Sequence, residues 1–326
     1  MQRIFSGIQP TGDIHIGNYV GAIRQWVVLA DMYDCVFSAV DYHAITVEYP
    51  IEEMKKRIIE TAVVLIACGL SPEKCKIFVQ SHVPEHTELA WIFNCVTPIG
   101  ELERMTQFKD KSKQHRTNLN VGLMDYPVLQ AADILLYKAG FVPVGEDQVQ
   151  HVELCREVAR KFNSRFKPIF PEPKVILSEA PRILGVDAAG KMSKTMGNYI
   201  AILEDEKTIW EKLRTAVTDV SRVRRTDIGN PDVCNIFTMH KAFSGDEIRA
   251  DVEKGCRTAG IGCIDCKKML FKKMMEELIP IQEKAKTLMK DQCYVLDVLR
   301  QGAKACSIIA KDTMQEVRET LGLLQA

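Results

Sequence analysis

The first half of the chain alternates short apolar runs with longer segments in which apolar residues recur every three or four positions. Residues 3–6, 36–40, 76–80 and 141–144 are rich in β-branched and aromatic side chains, so each run predicts a strand. Residues 51–69 have helical spacing, and Pro50 and Gly69 are typical of a helix start and end. Strands that alternate with helices predict a doubly wound α/β fold, a parallel sheet with helices on both faces.

Helical patterns become dominant later in the chain. They cover residues 124–137 and 146–162, on either side of the strand at 141–144. After Asn198 strand patterns are sparse, and residues 205–218, 245–254, 267–290 and 294–323 are all predicted to be helical. We therefore predict two domains, an α/β domain over residues 1–205 and a helical domain over residues 206–326.

Composition narrows the class of protein. The chain has 326 residues, 46% of them hydrophobic, which is enough for a full core. Eleven cysteines are too sparse for a small disulfide scaffold, and an odd number cannot all pair, so we expect reduced thiols. The longest apolar run, residues 62–68, is too short to span a bilayer, and we expect a cytoplasmic protein without a membrane span. The 43 basic and 43 acidic residues balance, which excludes bulk electrostatic binding to nucleic acid but leaves room for local basic patches.

Two distant loops carry the chemistry of a phosphate site. The first, GIQPTGDIHIGN at residues 7–18, follows the first strand and leads into a helix predicted to begin near Gly17. Free N–H groups at such a position favour phosphate, although many strand-to-helix turns contain glycines. The second loop, GKMSKT at residues 190–195, contributes Lys191 and Lys194. Two ammonium groups on one loop can follow the charge of a polyphosphate as it moves to a leaving group.

The order HIGN and then KMSKT, about 180 residues apart, resembles the paired HIGH and KMSKS motifs of class I aminoacyl-tRNA synthetases. The resemblance covers most of the chain and is closest to the tryptophanyl branch, through the segments VDYHAIT, GELERMTQFKDKS, YPVLQAADILLY and VPVGEDQVQHVEL. It implies a Rossmann-like catalytic domain followed by a helical anticodon-binding domain. It also implies a homodimer that activates L-tryptophan with ATP and Mg²⁺, then transfers it to the 3′ end of tRNA(Trp).

The same resemblance implies residue roles in the nucleotide site. Lys111, Lys191, Lys194 and His15 would be catalytic, the three lysines by neutralising charge on pyrophosphate. The residues expected to bind ATP are Gln9, Pro10, Thr11, Gly17, Asn18, Gly145, Glu146, Asp147, Ile183, Lys191, Met192, Ser193, Lys194 and Thr195. Tryptophanyl enzymes commonly have Thr at the position of His15, so this histidine departs from that branch and matches the general class I motif.

A substrate pocket is predicted around one helix. Tyr126, Gln130 and Asp133 are spaced i, i+4 and i+7 and project from one face. Asp133 lies in an apolar stretch, so its charge needs either a partner or solvent, and an indole N–H would serve as such a partner. Tyrosyl enzymes present a hydroxyl where this chain has Phe5, which favours tryptophan, although Gln130 replaces a Met that is frequent in the tryptophanyl branch. The residues expected to bind tryptophan are Asp133, Phe5, Gly7, His43, Tyr126, Gln130 and Gln148.

Four cysteines in the second half have the spacing of metal ligands. Cys234, Cys256, Cys263 and Cys266 are separated by 21, six and two residues. Four thiolates can hold an iron–sulfur cluster or tetrahedral Zn²⁺. The spacing resembles a subset of tryptophanyl enzymes with a [4Fe–4S] cluster, so we rank the cluster first, zinc second and four unrelated thiols third.

A local basic excess marks the second predicted domain. Residues 221–290 contain 14 Lys and Arg and 10 Asp and Glu. The basic residues that contribute to this excess include Arg222, Arg224, Arg225, Lys267, Lys268, Lys272 and Lys273. A solvated helix face is the simpler explanation, but beside a predicted tRNA-binding segment we favour phosphate contact. The alternatives that remain are a tyrosyl-tRNA synthetase, a small nucleotidyltransferase and a synthetase-like RNA-binding protein without aminoacylation activity.

Overall fold

The computed structural model describes residues 1–106, 120–194 and 196–324. Within these residues five parallel strands form one sheet, namely β1 (Arg3–Ile8), β2 (Asp34–Ala39), β3 (Cys75–Val79), β4 (Phe141–Val144) and β5 (Lys174–Leu177). Their order across the sheet is β3-β2-β1-β4-β5. The chain therefore builds outward from β1 in both directions, and the carboxyl ends next to β1 form the switch point at which such sheets bind ligands.

Helices connect and follow these strands. In chain order the described ones are α1 (Ile16–Asn18), α2 (Arg24–Leu29), α3 (Asp41–Ala44), α4 (Ile51–Ala67), α5 (Glu85–Asn94), α6 (Ile99–Glu103), α7 (Val121–Leu136), α8 (Val149–Arg165), α9 (Glu206–Thr215), α10 (Asn235–Phe243), α11 (Asp246–Arg257), α12 (Cys263–Lys290) and α13 (Gln292–Leu321). A parallel sheet with flanking helices confirms the predicted α/β class.

The sequence patterns located most of these elements within a few residues. Pro50 precedes α4 and Asn120 caps α7, where its side chain accepts the Leu123 N–H. The pattern missed β5, whose four residues are partly or largely exposed and so lack a strong apolar signal. It also missed α5 and α10, and it predicted one regular helix from Gly17, where the chain instead has α1, a π-helical turn at Tyr19–Ile23 and α2.

The described residues divide into two compact units that are discontinuous in sequence. Unit 1 contains residues 1–11, 26–178 and 291–326, and unit 2 contains residues 12–25 and 179–290. The last helix, α13, belongs to unit 1 because its buried residues, among them Cys306 and Met314, join the core that includes Phe78 and Val142. The boundary predicted at residue 205 divides the chain by function, with catalysis assigned to the residues before it and anticodon binding to those after it. This functional division stays a prediction.

A close backbone approach explains how α13 packs on the sheet. A Cβ atom at Gly302 would lie only 2.0 Å from the carbonyl oxygen of Ile77 in β3, so the helix backbone touches the strand. Among the described residues, none of the helices combines the length and the apolar character needed to cross a lipid bilayer.

Candidate functional site

A buried carboxylate is the centre of the polar cluster in unit 1. Asp133 lies on α7, is 1% exposed, and is surrounded on its own helix by buried apolar residues. The Gln80 amide nitrogen donates to Oδ1 at 2.7 Å, and His43 Nε2 lies 2.7 Å from Oδ2. His86 Nδ1 lies 2.6 Å from Oδ1. The sequence left two environments open for Asp133, exposure to solvent or hydrogen bonds to partners, and the structure shows the hydrogen-bond partners.

The charge state of Asp133 follows from this surrounding. Burial raises the pKa of the carboxyl, but the adjacent His43 and His86 rings outweigh it and bring the pKa well below its usual range. Asp133 is therefore an ionised carboxylate inside apolar surroundings, an environment in which each hydrogen bond to it is strong.

Two partners of Asp133 are themselves fixed by further hydrogen bonds. His86 Nε2 lies 2.8 Å from the hydroxyl of Tyr137, which is fully buried. The side-chain oxygen Oε1 of Gln80 accepts the Tyr42 backbone N–H at 3.1 Å, which sets the orientation of the side-chain amide. The sequence reasoning missed Gln80, His86 and Tyr137. One signal was available, because Gln80 directly follows β3, at the sheet edge where ligands bind.

The other residues expected to bind tryptophan lie in the same unit. Phe5 is buried in β1 and stacks on Tyr137, with ring centroids 5.5 Å apart. Tyr126 contacts His43 edge to face, at 6.3 Å between centroids. A longer contact of 3.5 Å joins the amides of Gln130 and Gln148. Gly7 is exposed in β1, and a Cβ there would lie 2.7 Å from Val40. Asp133, His43, Tyr126 and Phe5 are thus linked by contacts, and their role towards tryptophan stays a prediction.

The HIGN motif forms a self-capped turn in unit 2. Nδ1 of His15 accepts the Asn18 backbone N–H at 3.3 Å, and the Asn18 side-chain oxygen accepts the His15 backbone N–H at 3.2 Å. This reciprocal capping box opens the short helix α1, and Gly17 gives the His15 ring space, since a Cβ there would lie 3.0 Å from it. The His and Asn of the motif therefore have a clear structural role.

The KMSK segment lies against the HIGN segment within unit 2. Lys194 Nζ donates to the Gly12 carbonyl oxygen at 2.8 Å. Just beyond it, the Ile16 N–H bonds to Ile200, and His15 pairs with Ala201 in an antiparallel bridge. The two motifs, about 180 residues apart in sequence, are thus brought together by the Lys194 hydrogen bond and by backbone pairing just beyond the second motif.

These lysines alter the chemistry of His15. The ring is 5% exposed, and burial, followed by the charges of Lys194 and Lys191, lowers its pKa from 6.5 to about 4. His15 is therefore neutral at physiological pH. Because Nδ1 accepts a hydrogen bond, the proton of the neutral ring is on Nε2, where it can be donated to a phosphate oxygen.

The remaining residues expected to bind ATP are distributed over both units. In unit 1, Gly145 caps a short turn formed by Glu146, Asp147 and Gln148, while Gln9, Pro10 and Thr11 directly follow β1. In unit 2, Ile183 and Met192 are buried, and the Ser193 N–H donates to Asn198 at 2.8 Å. Two predicted residues, Lys111 and Thr195, lie outside the described residues.

The four cysteines with metal-ligand spacing approach one another in unit 2. Burial raises the pKa of Cys266 to about 12, and Cys234, Cys256 and Cys263 all contribute to that rise. Cys234 precedes α10 and Cys263 begins α12. In the part of the chain that the structure describes, however, no three His, Cys, Asp or Glu side chains are grouped to hold one metal ion. The described side chains therefore lend no support to a metal site here, either for a [4Fe–4S] cluster or for zinc.

Groups beside the cysteines constrain their loop. Arg222 donates to the Ile261 carbonyl at 2.7 Å and has its Nη1 4.0 Å from Cys256 Sγ. A Cβ at Gly229 would lie 2.7 Å from the same sulfur, so only glycine leaves space for it. Lys267 is buried and donates to the carbonyls of Arg214 and Ala216. The expectation that Lys267 contacts RNA is therefore wrong, because its ammonium is committed inside the fold, whereas Arg224, Arg225, Lys268 and Lys272 are exposed.

Comparison with known proteins identifies relatives along the full chain. The family model for class I tRNA synthetases of the tryptophan and tyrosine type matches residues 1–278. Tryptophan–tRNA ligase from Deinococcus radiodurans is 56% identical over 330 residues and covers 100% of both chains. The ligase of the same name from Thermotoga maritima is 45% identical over 327 residues and covers 99% of each chain.

A solved structure agrees with these relatives. Tryptophanyl-tRNA synthetase from Campylobacter jejuni, complexed with ADP and tryptophan, superposes with a TM-score of 0.87 at 34% identity. The alignment covers 99% of the present chain and 100% of that chain.

Proposed function

This chain belongs to the class I tRNA synthetases of the tryptophan and tyrosine family, and we propose that it acts as a tryptophan–tRNA ligase. The observation that carries this proposal is the buried, ionised Asp133 together with Phe5 in β1. A carboxylate accepts the indole N–H, and Phe5 has no hydroxyl to donate to a tyrosine phenol. A site built on such a hydrogen bond rejects analogues without it by about 10⁴ to 10⁵.

The first reaction is adenylation. The tryptophan carboxylate attacks the α-phosphate of ATP in line, Trp-AMP forms, and pyrophosphate leaves. No protein nucleophile is needed, so the residues contribute positioning and charge stabilisation. We propose that Lys191 and Lys194 stabilise the pyrophosphate charge and that neutral His15 donates from Nε2 to a phosphate oxygen. Mg²⁺ bound with ATP adds charge neutralisation between phosphate oxygens.

The second reaction transfers tryptophan to RNA. A ribose hydroxyl at the 3′ end of tRNA(Trp) attacks the adenylate carbonyl, and AMP leaves. We propose that Arg224, Arg225, Lys268 and Lys272, which are exposed in unit 2, contact tRNA phosphates. This deduction rests on charge and exposure together with the family's need to bind tRNA.

The experiment that tests the function is ATP–pyrophosphate exchange with tryptophan and with tyrosine in parallel, followed by aminoacylation of tRNA(Trp). We expect exchange with tryptophan to exceed that with tyrosine by at least about 10⁴-fold. Preference for tyrosine would favour the tyrosyl alternative. Absence of exchange with either amino acid would favour an RNA-binding protein without aminoacylation activity.

We also propose a [4Fe–4S] cluster on Cys234, Cys256, Cys263 and Cys266. Its support is the set of four mutually interacting thiols, together with the Arg222 cation, which offsets part of the rise that burial gives the pKa of Cys256. Anaerobic purification with iron, sulfide and zinc analysis tests the proposal. Zinc without iron, or neither metal, contradicts it.

A homodimer in the cytoplasm completes the proposal. Unit 1 exposes several large apolar side chains, among them Trp91, Ile99 and Val121, which are 72%, 66% and 80% exposed. Such side chains are common where a partner subunit packs. Sedimentation equilibrium of the full chain gives the test, and a monomer at micromolar concentration would contradict the dimer.

A further inference from the structure

The hydrogen bonds around Asp133 divide its two oxygens into different roles. Oδ1 receives donors from Gln80 and His86, which fills its two acceptor positions. Among the described residues, His43 is the donor found at Oδ2. A further N–H donor, such as an indole, is therefore received at Oδ2, while the Oδ1 side fixes how the carboxylate is turned.

The Asp133 carboxylate determines that Nδ1 of His86 carries a proton. A bare ring nitrogen 2.6 Å from a carboxylate oxygen would repel it, so Nδ1 must carry a hydrogen. On the other side of the ring, Nε2 lies 2.8 Å from the Tyr137 hydroxyl, so both ring nitrogens have a hydrogen-bond partner. The result is a chain of hydrogen-bond contacts from Tyr137 through His86 to Asp133.

Packing holds this chain of hydrogen bonds in place. His86 and Tyr137 are both fully buried, and the His86 ring stacks on Phe78 with centroids 5.8 Å apart. The Tyr137 ring in turn stacks on Phe5. The His86 ring is thus prevented from turning, and its two nitrogens contact Asp133 and Tyr137.

We propose that His86, oriented by Tyr137, is a positioning residue that holds the Asp133 carboxylate for the indole N–H and so sets discrimination against tryptophan analogues without that N–H. The inference rests on the proposed role of Asp133 in tryptophan recognition. Neither His86 nor Tyr137 needs to touch the substrate. Their contribution belongs to the affinity for tryptophan and leaves the chemistry of phosphate transfer unchanged.

The test compares tryptophan with 3-(benzo[b]thiophen-3-yl)alanine, in which sulfur replaces the indole N–H at nearly the same size. Steady-state pyrophosphate exchange gives kcat and KM for both amino acids and for ATP. In His86→Leu we expect the tryptophan KM to rise about 10- to 100-fold, as for a lost buried hydrogen bond to a charged group, with kcat and the ATP KM within about twofold. The analogue changes little, so the ratio of the two kcat/KM values falls by the same factor, about 10- to 100-fold.

Two milder variants guard against a folding defect. His86→Asn keeps an N–H donor near the position of Nδ1 and is expected to restore most of the ratio. Tyr137→Phe removes the hydroxyl alone and is expected to lower the ratio about 3- to 10-fold. The matched control is Phe93→Leu, which loosens the same core at a side chain that packs on Phe162 and Phe170, and it should affect both amino acids equally.

A variant of Asp133 separates failure of this inference from failure of the proposed site. Asn keeps an acceptor oxygen, so the decisive variant is Asp133→Leu, which removes it. If Asp133→Leu leaves the ratio unchanged, Asp133 is not the indole acceptor and both ideas fail. If Asp133→Leu lowers the ratio while His86→Leu and Tyr137→Phe retain it, the positioning role alone is wrong. Equal losses for both amino acids in the His86 and Tyr137 variants would assign these residues a purely structural role.

Discussion

Lys194 donates a hydrogen bond across 2.8 Å to the carbonyl oxygen of Gly12, a residue 182 positions earlier in the chain. The contact places an ammonium group beside the loop that leads into His15, whose pKa is lowered partly by that same charge. Lys194 is thereby held near its proposed site of action on ATP.

Lys194→Ala should slow adenylation without weakening tryptophan binding. Loss of one group that stabilises developing charge costs about 10²- to 10³-fold in kcat. Pyrophosphate exchange gives the rate, and tryptophan titration by fluorescence gives the affinity. Lys207→Ala, an exposed lysine in the same unit, is the control and should leave both unchanged. Equal loss of rate and tryptophan affinity would argue against the proposed role.

Gly12→Ala should strain the loop that meets Lys194. Gly12 has φ of +133°, which side-chain-bearing residues rarely adopt, and a Cβ there would lie 3.2 Å from Lys194 Cδ. We expect a loss of about 1–3 kcal/mol in the free energy of unfolding together with slower adenylation. Urea denaturation and exchange kinetics measure the two effects. Gly245→Ala, where a Cβ meets no described heavy atom within 4 Å, should change little.

His15 should make stability depend on pH below neutrality. Its pKa falls from 6.5 to about 4 on folding, so the unfolded chain binds a proton that the folded chain does not. The contribution of His15 to the free energy of unfolding is complete above about pH 6.5. It is lost as the pH falls towards 4, by up to about 3 kcal/mol.

The matched variant for this pH effect is His15→Asn, which keeps a capping acceptor but cannot titrate. Urea denaturation at a series of pH values between 4 and 7 should show a shallower decline in the variant than in the parent. Parallel curves would mean that His15 does not carry the effect, since His240, whose pKa burial also lowers, titrates in both proteins.

Gly302→Ala should disrupt the packing of α13 on β3. The added carbon would lie 2.0 Å from the Ile77 carbonyl oxygen, so helix and strand must separate, at a cost of about 3 kcal/mol in unfolding free energy. Gly140→Ala, in the same unit, adds a carbon with no described heavy atom within 4 Å and should stay within about 0.5 kcal/mol of the parent. Similar stability of the two variants in urea denaturation would contradict the close approach.

Arg224→Ala should weaken tRNA binding in a salt-dependent manner. Loss of one phosphate contact reduces the slope of log affinity against log salt by about 0.7 to 1. Filter binding at several salt concentrations gives that slope. Arg156→Ala in unit 1, which removes an arginine paired with Glu153 and Glu172, is the control. An unchanged slope in Arg224→Ala would place this residue outside the RNA contact.

Local patterns were sufficient for most of the elements and for the residues that carry family motifs. The bounds of α4 followed from apolar spacing between Pro50 and Gly69, and β4 was predicted at its observed residues. Asp133 stood out because a carboxylate in an apolar helix needs a partner. The strand β5 escaped because its side chains are exposed, so burial left no mark on its sequence.

The sequence by itself determined the parallel α/β class, the paired HIGN and KMSKT motifs and the importance of Asp133, because helical and strand periodicity and motif order are local properties of the chain. Only the tertiary structure decided that α13 returns to the sheet unit, that Lys267 is buried, and that Gln80, His86 and Tyr137 surround Asp133. These facts depend on which distant segments pack together, and no spacing along the chain encodes a hydrogen bond between residues 47 or more positions apart.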